Sequence, residues 1–201
     1  MKDYWENIYA SKKDAEVSWY QENPLTSLSL INKYSSNKNI EVIDVGGGSS
    51  NLVIALFKDH FKSLSVLDVS QNALKRTAEK LGGNAAKIQW IDTNVLDFNI
   101  EMKYNIWHDR AVFHFLTTKE SVQKYKEVLV KHLKKGDYFL LATFSKEGPL
   151  KCSGLDITQY NIEELKLIFQ DEFNPVESFF EDHNTPFDTI QNFIYSVWQK
   201  K

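Results

Sequence analysis

The sequence predicts an α/β fold: a mainly parallel, seven-stranded sheet flanked by helices and finished by a C-terminal antiparallel hairpin. Three observations carry this expectation. From residue 40 onward, short apolar runs rich in β-branched residues alternate with helix-like patterns, as in successive βαβ units. The first run opens directly into three glycines, Gly46-Gly47-Gly48, as a strand-to-helix ligand turn does. The last two strand candidates flank Asn184-Thr185-Pro186, a linker too short for a helix, so that pair must be antiparallel.

Taken in order, Asp3 to Ala10 has the pattern of a short helix. Val17-Ser18-Trp19-Tyr20-Gln21 is an aromatic segment before Pro24, which suits a helix start, and Leu25, Leu28, Ile31 and Tyr34 then recur at helical spacing. Ile40 to Val45 reads as a buried strand, followed by a helix from about Ser49 to Asp59. Leu64 to Asp68 is the second strand. Ser70 caps a helix over Asn72 to Lys80, which Gly82-Gly83 stops. Lys87 to Ile91 and Tyr104 to His108 are the third and fourth strands. Thr118 caps a long amphipathic helix with Val122, Tyr125, Val128, Leu129 and Leu133 inward, and Gly136 ends it. Tyr138 to Phe144 is a central strand, and Asn161 begins the last helix. Ser178 to Asp182 and Gln191 to Gln199 form the hairpin.

Composition narrows the function classes. The chain of 201 residues is read as a single domain, 1–201, with residues 1–39 as a helical lid over a core from 40 to 201. An apolar fraction of 42% and a charged fraction of 25% are ordinary for a globular protein. A net charge of −3 gives no basic footprint for nucleic acid, and Lys131, Lys134 and Lys135 read as a solvated helix face and C-terminal turn. Cys152 is the only cysteine, which excludes an internal disulfide framework. Met1 to Glu6 is not signal-like, and no apolar run nears the ~20 residues of a membrane span, so a cytoplasmic location without membrane partners is expected. No pattern sets an oligomeric state.

The chemistry concentrates at the strand ends, where open α/β sheets bind ligands. Asp44 precedes the glycines, and Asp68 ends the next strand, 22 residues after Gly46. A carboxylate there can accept both hydroxyls of a ribose. That spacing fits any adenosine-ribose cofactor, NAD included. The loop Gly46-Gly47-Gly48-Ser49-Ser50-Asn51 lacks the third spaced glycine of a pyrophosphate-binding turn, and Asp44 is placed to meet an ammonium, directly or through water.

Val42 to Gly48, Val66 to Ser70, Ile88 to Val95 and Leu133 to Tyr138 together resemble the motifs of class I S-adenosylmethionine-dependent methyltransferases over nearly the whole chain. The resemblance implies a Rossmann-like core, S-adenosylmethionine as cofactor and S-adenosylhomocysteine as product. It assigns the ribose to Asp68 with Val69. It assigns the adenine to Asn94 with Val95, where Thr93-Asn94 replaces the family's Gly-Asp and Asp92 is an alternative. Asp44, Gly46, Gly47, Gly48 and Asp109 then border the cofactor. Asp109-Arg110-Ala111 resembles an Asp-Arg-Gly segment of thiopurine and related thiol methyltransferases, with Ala111 in place of glycine. Trp19-Tyr20-Gln21 resembles their N-terminal aromatic lid, so Trp19 and Tyr20 are expected to close over the cofactor.

For the methyl acceptor the expectation is a small-molecule nucleophile, a thiol or a carboxylate. His114 has the pKa range of a base, Arg110 can anchor an acidic group or neutralise a thiolate, and Asp109 can orient Arg110 or take a proton. Cys152 and Tyr160 read mainly as packing residues and His183 as a turn or pocket-rim residue. His108 and Asp109, adjacent on a strand, point to opposite faces and chelate poorly, so no metal is expected. The alternatives are a protein lysine methyltransferase, an NAD-dependent oxidoreductase, which the incomplete glycine motif disfavours, and an adenosyl-ligand-binding domain without catalysis.

Overall fold

Helices cover both faces of the central sheet, which is why its strands read as unbroken apolar runs. The computed structural model describes residues 1–201. Helices α1 (Lys2–Ser11) and α2 (Leu25–Tyr34) precede β1 (Glu41–Val45), α3 (Leu52–Lys58), β2 (Ser63–Asp68), α4 (Gln71–Leu81), β3 (Ile88–Asp92) and β4 (Tyr104–Arg110). Then follow α5 (Lys119–His132), β5 (Leu133–Phe144), the short strands β6 (Lys151–Cys152) and β7 (Leu155–Asp156), α6 (Ile162–Phe169), β8 (Phe173–Asn184) and β9 (Ile190–Lys200). The seven-stranded sheet has the order β3-β2-β1-β4-β5-β9-β8. Strands β1 to β5 are parallel, β9 is antiparallel to β5, and β8 pairs antiparallel with β9. The expected fold is therefore the one observed.

Alternating residues of each strand feed two cores. Val42, Val66, Ile106, Leu140 and Val197 face Leu30 and Ile31 of α2, Leu52 and Leu56 of α3 and Leu74 of α4. Ile43, Leu67, Trp107, Phe139 and Trp198 face Tyr125 and Leu129 of α5 and Leu165 and Phe169 of α6. The expected caps are in place, Ser70 accepting from Ala73 N–H and Thr118 from Ser121 N–H, and Asn161, expected to begin the last helix, caps it by accepting from Glu164 N–H. No helix is long and apolar enough to cross a membrane.

Some boundaries differ from expectation. Helix α3 starts three residues later, because Ser50 N–H bonds back to Gly47 O and the Ser50 hydroxyl caps Leu52 N–H, making a turn of residues 47–51. Gly136 does not end α5. The helix stops at His132, and Gly136, with φ of 90°, lies within β5, which starts early by pairing Leu133 with Tyr104. The β6–β7 ribbon was not expected, and β8 starts five residues before its predicted start, whereas β9 matches its predicted bounds to within one residue at each end.

After β1 the chain builds outward through β2 and β3, then crosses to the other side of β1 to form β4. The order thus reverses between β1 and β4, and a crevice opens beyond their carboxyl ends. Gly46 follows one strand and Arg110 ends the other.

Candidate active site

The crevice holds a cleft of about 910 Å³, including its open mouth, lined by Gly46, Asp68, Val69, Asn94, Val95, Arg110 and Val112 among others. Trp5 and Tyr9 of α1, Met1 just before that helix, and Trp19 complete its wall. Helix α1 is held there by Glu6, whose carboxylate accepts from the Ser70 hydroxyl and from the N–H groups of Gln71 and Asn72 at the start of α4. A carboxylate suits that site, where N–H groups are unpaired and the helix dipole is positive. Trp5 packs edge-on against Trp19 and Phe115, at 5.6 and 5.3 Å between ring centres.

The glycine loop is shaped by close contacts. Gly46 has φ of 69°, and a side chain there would collide with Val112. Gly47 has no room for a Cβ beside the Asp44 carboxylate. Gly48 lines neither cleft. Its N–H donates to Asp68 Oδ2 at 3.0 Å, and a Cβ would strike Asp68 and Ala73, so it lets loop, strand end and α4 meet closely. Asp68 also accepts from Ser70 N–H at 2.8 Å. Burial pushes its carboxyl up to about 6, against the opposing effect of these two backbone donors.

Asn94 caps the turn that follows β3. Its carbonyl accepts from Leu96 N–H at 3.0 Å and keeps a second lone pair. Asp92 faces away, where it pairs with Lys2 at 2.7 Å. A second, more polar cleft of about 540 Å³ lies across Gly46 and is lined by Tyr20, Gln21, Ser27, Asp44, Gly47, Ser49, Ser50 and His108. Tyr9, Trp19 and Arg110 border both clefts.

Asp109 and Arg110 do not form the expected pair. Strand alternation turns them to opposite faces. Asp109 is fully buried and lines neither cleft. Its carboxylate accepts from the Tyr125 hydroxyl at 2.6 Å and from Val112 and Phe113 N–H at 2.9 and 3.3 Å. Burial pushes it up to about 6. Asp109 therefore fixes the loop after β4 rather than facing either cleft. In that loop Ala111 has φ of 75°, a conformation that favours glycine, at the position where the resembled thiol enzymes carry one.

Arg110 points into the crevice. Its Nε donates to the Tyr195 hydroxyl and its Nη1 to Trp19 O, each at 3.2 Å, and the guanidinium lies 4.5 Å from the Phe193 ring centre. Its Nη2 is buried without a partner. Arg110 is the only Lys, Arg or His side chain in the larger cleft.

His114 is not placed as a base. It sits in the single helical turn Phe113–Phe115, fully buried, 4.6 Å from both the Phe115 and Phe144 ring centres, and lines neither cleft. Burial, with Arg110 nearby, lowers its pKa to about 3, so it is neutral. Cys152 lines the larger cleft, and burial pushes its thiol up to about 12. Tyr160 packs on Phe113, and His183 bonds to Ser18 O at 2.8 Å, both outside the clefts. Tyr9 with Lys13 and Tyr34 with Lys38 have the Tyr-x-x-x-Lys spacing that a nicotinamide-dependent oxidoreductase would use, but neither lysine lines a cleft.

Trp5, Tyr9 and His108 line the clefts, and Tyr195 holds Arg110 from outside them, without having been singled out as site residues. Trp5 and Tyr9 carried a signal, because aromatic residues four apart on a helix share a face. Tyr195 and His108 carried none in isolation.

Residues 43–139 match the family model described as "Methyltransferase domain". No curated protein matches the chain. Among solved structures, the chain is similar to the N-methyltransferase NodS from Bradyrhizobium japonicum WM9 in complex with S-adenosylhomocysteine. The identity is 16%, the coverage 99% of this chain and 97% of that one, and the TM-score 0.73. It is also similar to the 1,6-didemethyltoxoflavin-N1-methyltransferase of Burkholderia thailandensis, at 14% identity, with 100% and 87% covered and a TM-score of 0.78. TehB from Haemophilus influenzae matches at 16% identity, with 98% and 67% covered and a TM-score of 0.71. At these identities the likeness to the solved structures is one of fold.

Proposed function

We propose that the chain, which matches a methyltransferase-domain model over residues 43–139, is a class I methyltransferase that moves the methyl group of S-adenosylmethionine to a small-molecule thiol or carboxylate. The observation that carries this reading is one cleft whose lining brings together Asp68, Asn94 and Arg110. Asp68 accepts the ribose hydroxyls, Asn94 and Val95 border the adenine, and Gly46 allows close approach of the ligand to the backbone. Asp44 faces the ammonium of the methionine end. Two of the structures similar in fold contain S-adenosylhomocysteine, which fits this assignment.

The acceptor end favours an anion. In methyl transfer the nucleophile attacks the sulfonium methyl in line, the carbon–sulfur bond breaks, and its electron pair stays on S-adenosylhomocysteine. A thiolate or carboxylate enters without a proton to lose, so no base is required. With His114 sealed away and Asp109 tied to the loop, Arg110 Nη2 is the group left to steady the negative charge. Trp5, Trp19 and Phe115 keep water from the sulfonium.

Two measurements test the reading. S-adenosylhomocysteine at about 100 times its dissociation constant adds about 2.7 kcal/mol. That corresponds to a rise in melting midpoint of about 5–10 °C for a domain of this size. A rise with NAD and none with either adenosyl ligand would overturn the assignment. In the second, S-adenosylhomocysteine release is followed over a panel of thiols and carboxylates. Arg110→Gln is expected to lower kcat/KM for the best anionic acceptor by about 100-fold, with a far smaller change in S-adenosylhomocysteine affinity. Equal losses in both would place Arg110 with the cofactor instead.

A further inference from the structure

We infer that His108 is a positioning residue for the amino-acid end of the cofactor, clamping one oxygen of Asp44 so that the other faces the ligand's ammonium. The inference rests on the adenosyl reading above and goes beyond it in giving His108 and Ser27 a function.

The geometry is a three-residue relay. Parallel pairing of β1 with β4 sets Asp44 and His108 side by side in register. His108 Nδ1 lies 2.7 Å from Asp44 Oδ1, and His108 Nε2 lies 2.9 Å from the Ser27 hydroxyl of α2. The side chains of Asp44 and His108 are each 5% exposed, and Ser27 is 1% exposed. With Asp44 ionised, the hydrogen on Nδ1 donates to its carboxylate, and the Ser27 hydroxyl donates to Nε2. Both ring nitrogens are thus satisfied, and the ring cannot turn without losing a buried hydrogen bond.

The free end of the relay points to a ligand. Asp44 Oδ2 is buried and has no hydrogen-bond partner. It lies against Gly47, which has no Cβ to cover it, and it borders the second cleft. A buried carboxylate oxygen without a donor is costly in a protein that binds nothing there. The hydroxyls of Ser49 and Ser50, in the same cleft, supply donors for the carboxylate that accompanies an ammonium on an α-amino acid. Without the clamp, the Asp44 carboxylate would be free to rotate about its last bond and share the bound ammonium poorly. Ser27 belongs to α2, so the relay also ties the N-terminal segment to the glycine loop.

The test uses two probes on the full chain, by calorimetry: S-adenosylhomocysteine, and 5′-methylthioadenosine, which has the same adenosine and thioether but no amino-acid end. His108→Leu is expected to weaken S-adenosylhomocysteine at least tenfold while leaving 5′-methylthioadenosine within twofold. His108→Asn, which puts an N–H near the position of Nδ1, is expected to recover most of the loss. In turnover, KM for S-adenosylmethionine rises with kcat nearly kept. Should His108→Leu fail to fold, Ser27→Ala removes only the far hydrogen bond and is expected to show the same selectivity at about threefold. Equal weakening of both probes would make His108 merely structural and overturn the inference, as would no weakening of either. Wild-type protein that binds neither probe would instead sink the adenosyl reading itself.

Discussion

Replacing Asp68 by alanine is expected to weaken S-adenosylhomocysteine binding about 100-fold while the sheet stays folded. The Asp68 carboxylate lies at the end of β2, held by Gly48 and Ser70 N–H groups, with the cleft beside it. Two ribose hydroxyls donating to it make charge-assisted bonds, each worth about 1.5–3 kcal/mol. Water returns part of this in the variant, so the net loss is about 3 kcal/mol, or about 100-fold. Asp68→Asn keeps one acceptor oxygen and should lose about tenfold. The same site sets a pH dependence. Burial raises the Asp68 pKa to about 6, so the free folded protein holds this proton where an exposed carboxylate has lost it. Hydroxyl donors prefer the ionised form, so affinity should rise as pH goes from 5 to 7 and level off above. Asp68→Asn should abolish that rise. The effect on folding has the opposite sign. A proton bound more tightly in the folded state means that stability falls as pH rises from about 4 through about 6, and Asp109 adds in the same direction. Calorimetry across this pH range checks the binding arm. Unchanged affinity in Asp68→Ala would remove Asp68 from the ribose site.

The features legible in the sequence are those fixed by local pattern. Strands covered on both faces, such as Val42 to Val45 and Phe139 to Phe144, announce themselves as apolar runs, and Ser70, Thr118 and Asn161 mark helix starts. Strand β8 is different. It is an edge strand, largely exposed along its length, with Pro175 beside an irregularity in its pairing, so its first half carries no apolar alternation to read. The two-residue strands β6 and β7 are too short for any period to appear. Gly46 and Asp68 were legible because a strand end followed by a helix start is itself a local signal. Asp109 and Arg110 misled because adjacency in sequence resembles partnership in space. The alternation that separates His108 from Asp109 also separates Asp109 from Arg110, sending one to Tyr125 and the other to the crevice. His114 misled similarly: one helical turn after β4 carries it into the aromatic core. The pairing of His108 with Asp44 could not be read at all, since it depends on which strands are neighbours and in what register.

Asp109 offers the sharpest separation of a structural from a chemical role, because alanine and asparagine should behave differently there. Asp109→Ala leaves three donors inside the protein without an acceptor: the Tyr125 hydroxyl and the N–H groups of Val112 and Phe113. Each orphaned donor costs about 1–3 kcal/mol. Against this, holding a buried carboxylate with a pKa near 6 ionised at neutral pH costs about 3 kcal/mol relative to an exposed one, and alanine removes that cost. Loss of the bonds and the small cavity should still prevail, giving a net destabilisation of about 2–4 kcal/mol and a melting midpoint lower by roughly 4–16 °C. Asp109→Asn keeps a carbonyl for the two N–H groups and carries no charge to bury. Its stability should stay within about 1 kcal/mol of wild type. The loop it holds includes Ala111 and Val112, which line the larger cleft, so the asparagine protein should also keep its cofactor affinity and most of its methyl transfer. A group that exchanges a proton with the acceptor would behave otherwise: asparagine would fold normally yet lose turnover by at least 100-fold. Melting curves and kcat measured on the two variants decide between these outcomes, and a folded, cofactor-binding but inactive Asp109→Asn protein would return Asp109 to the chemistry.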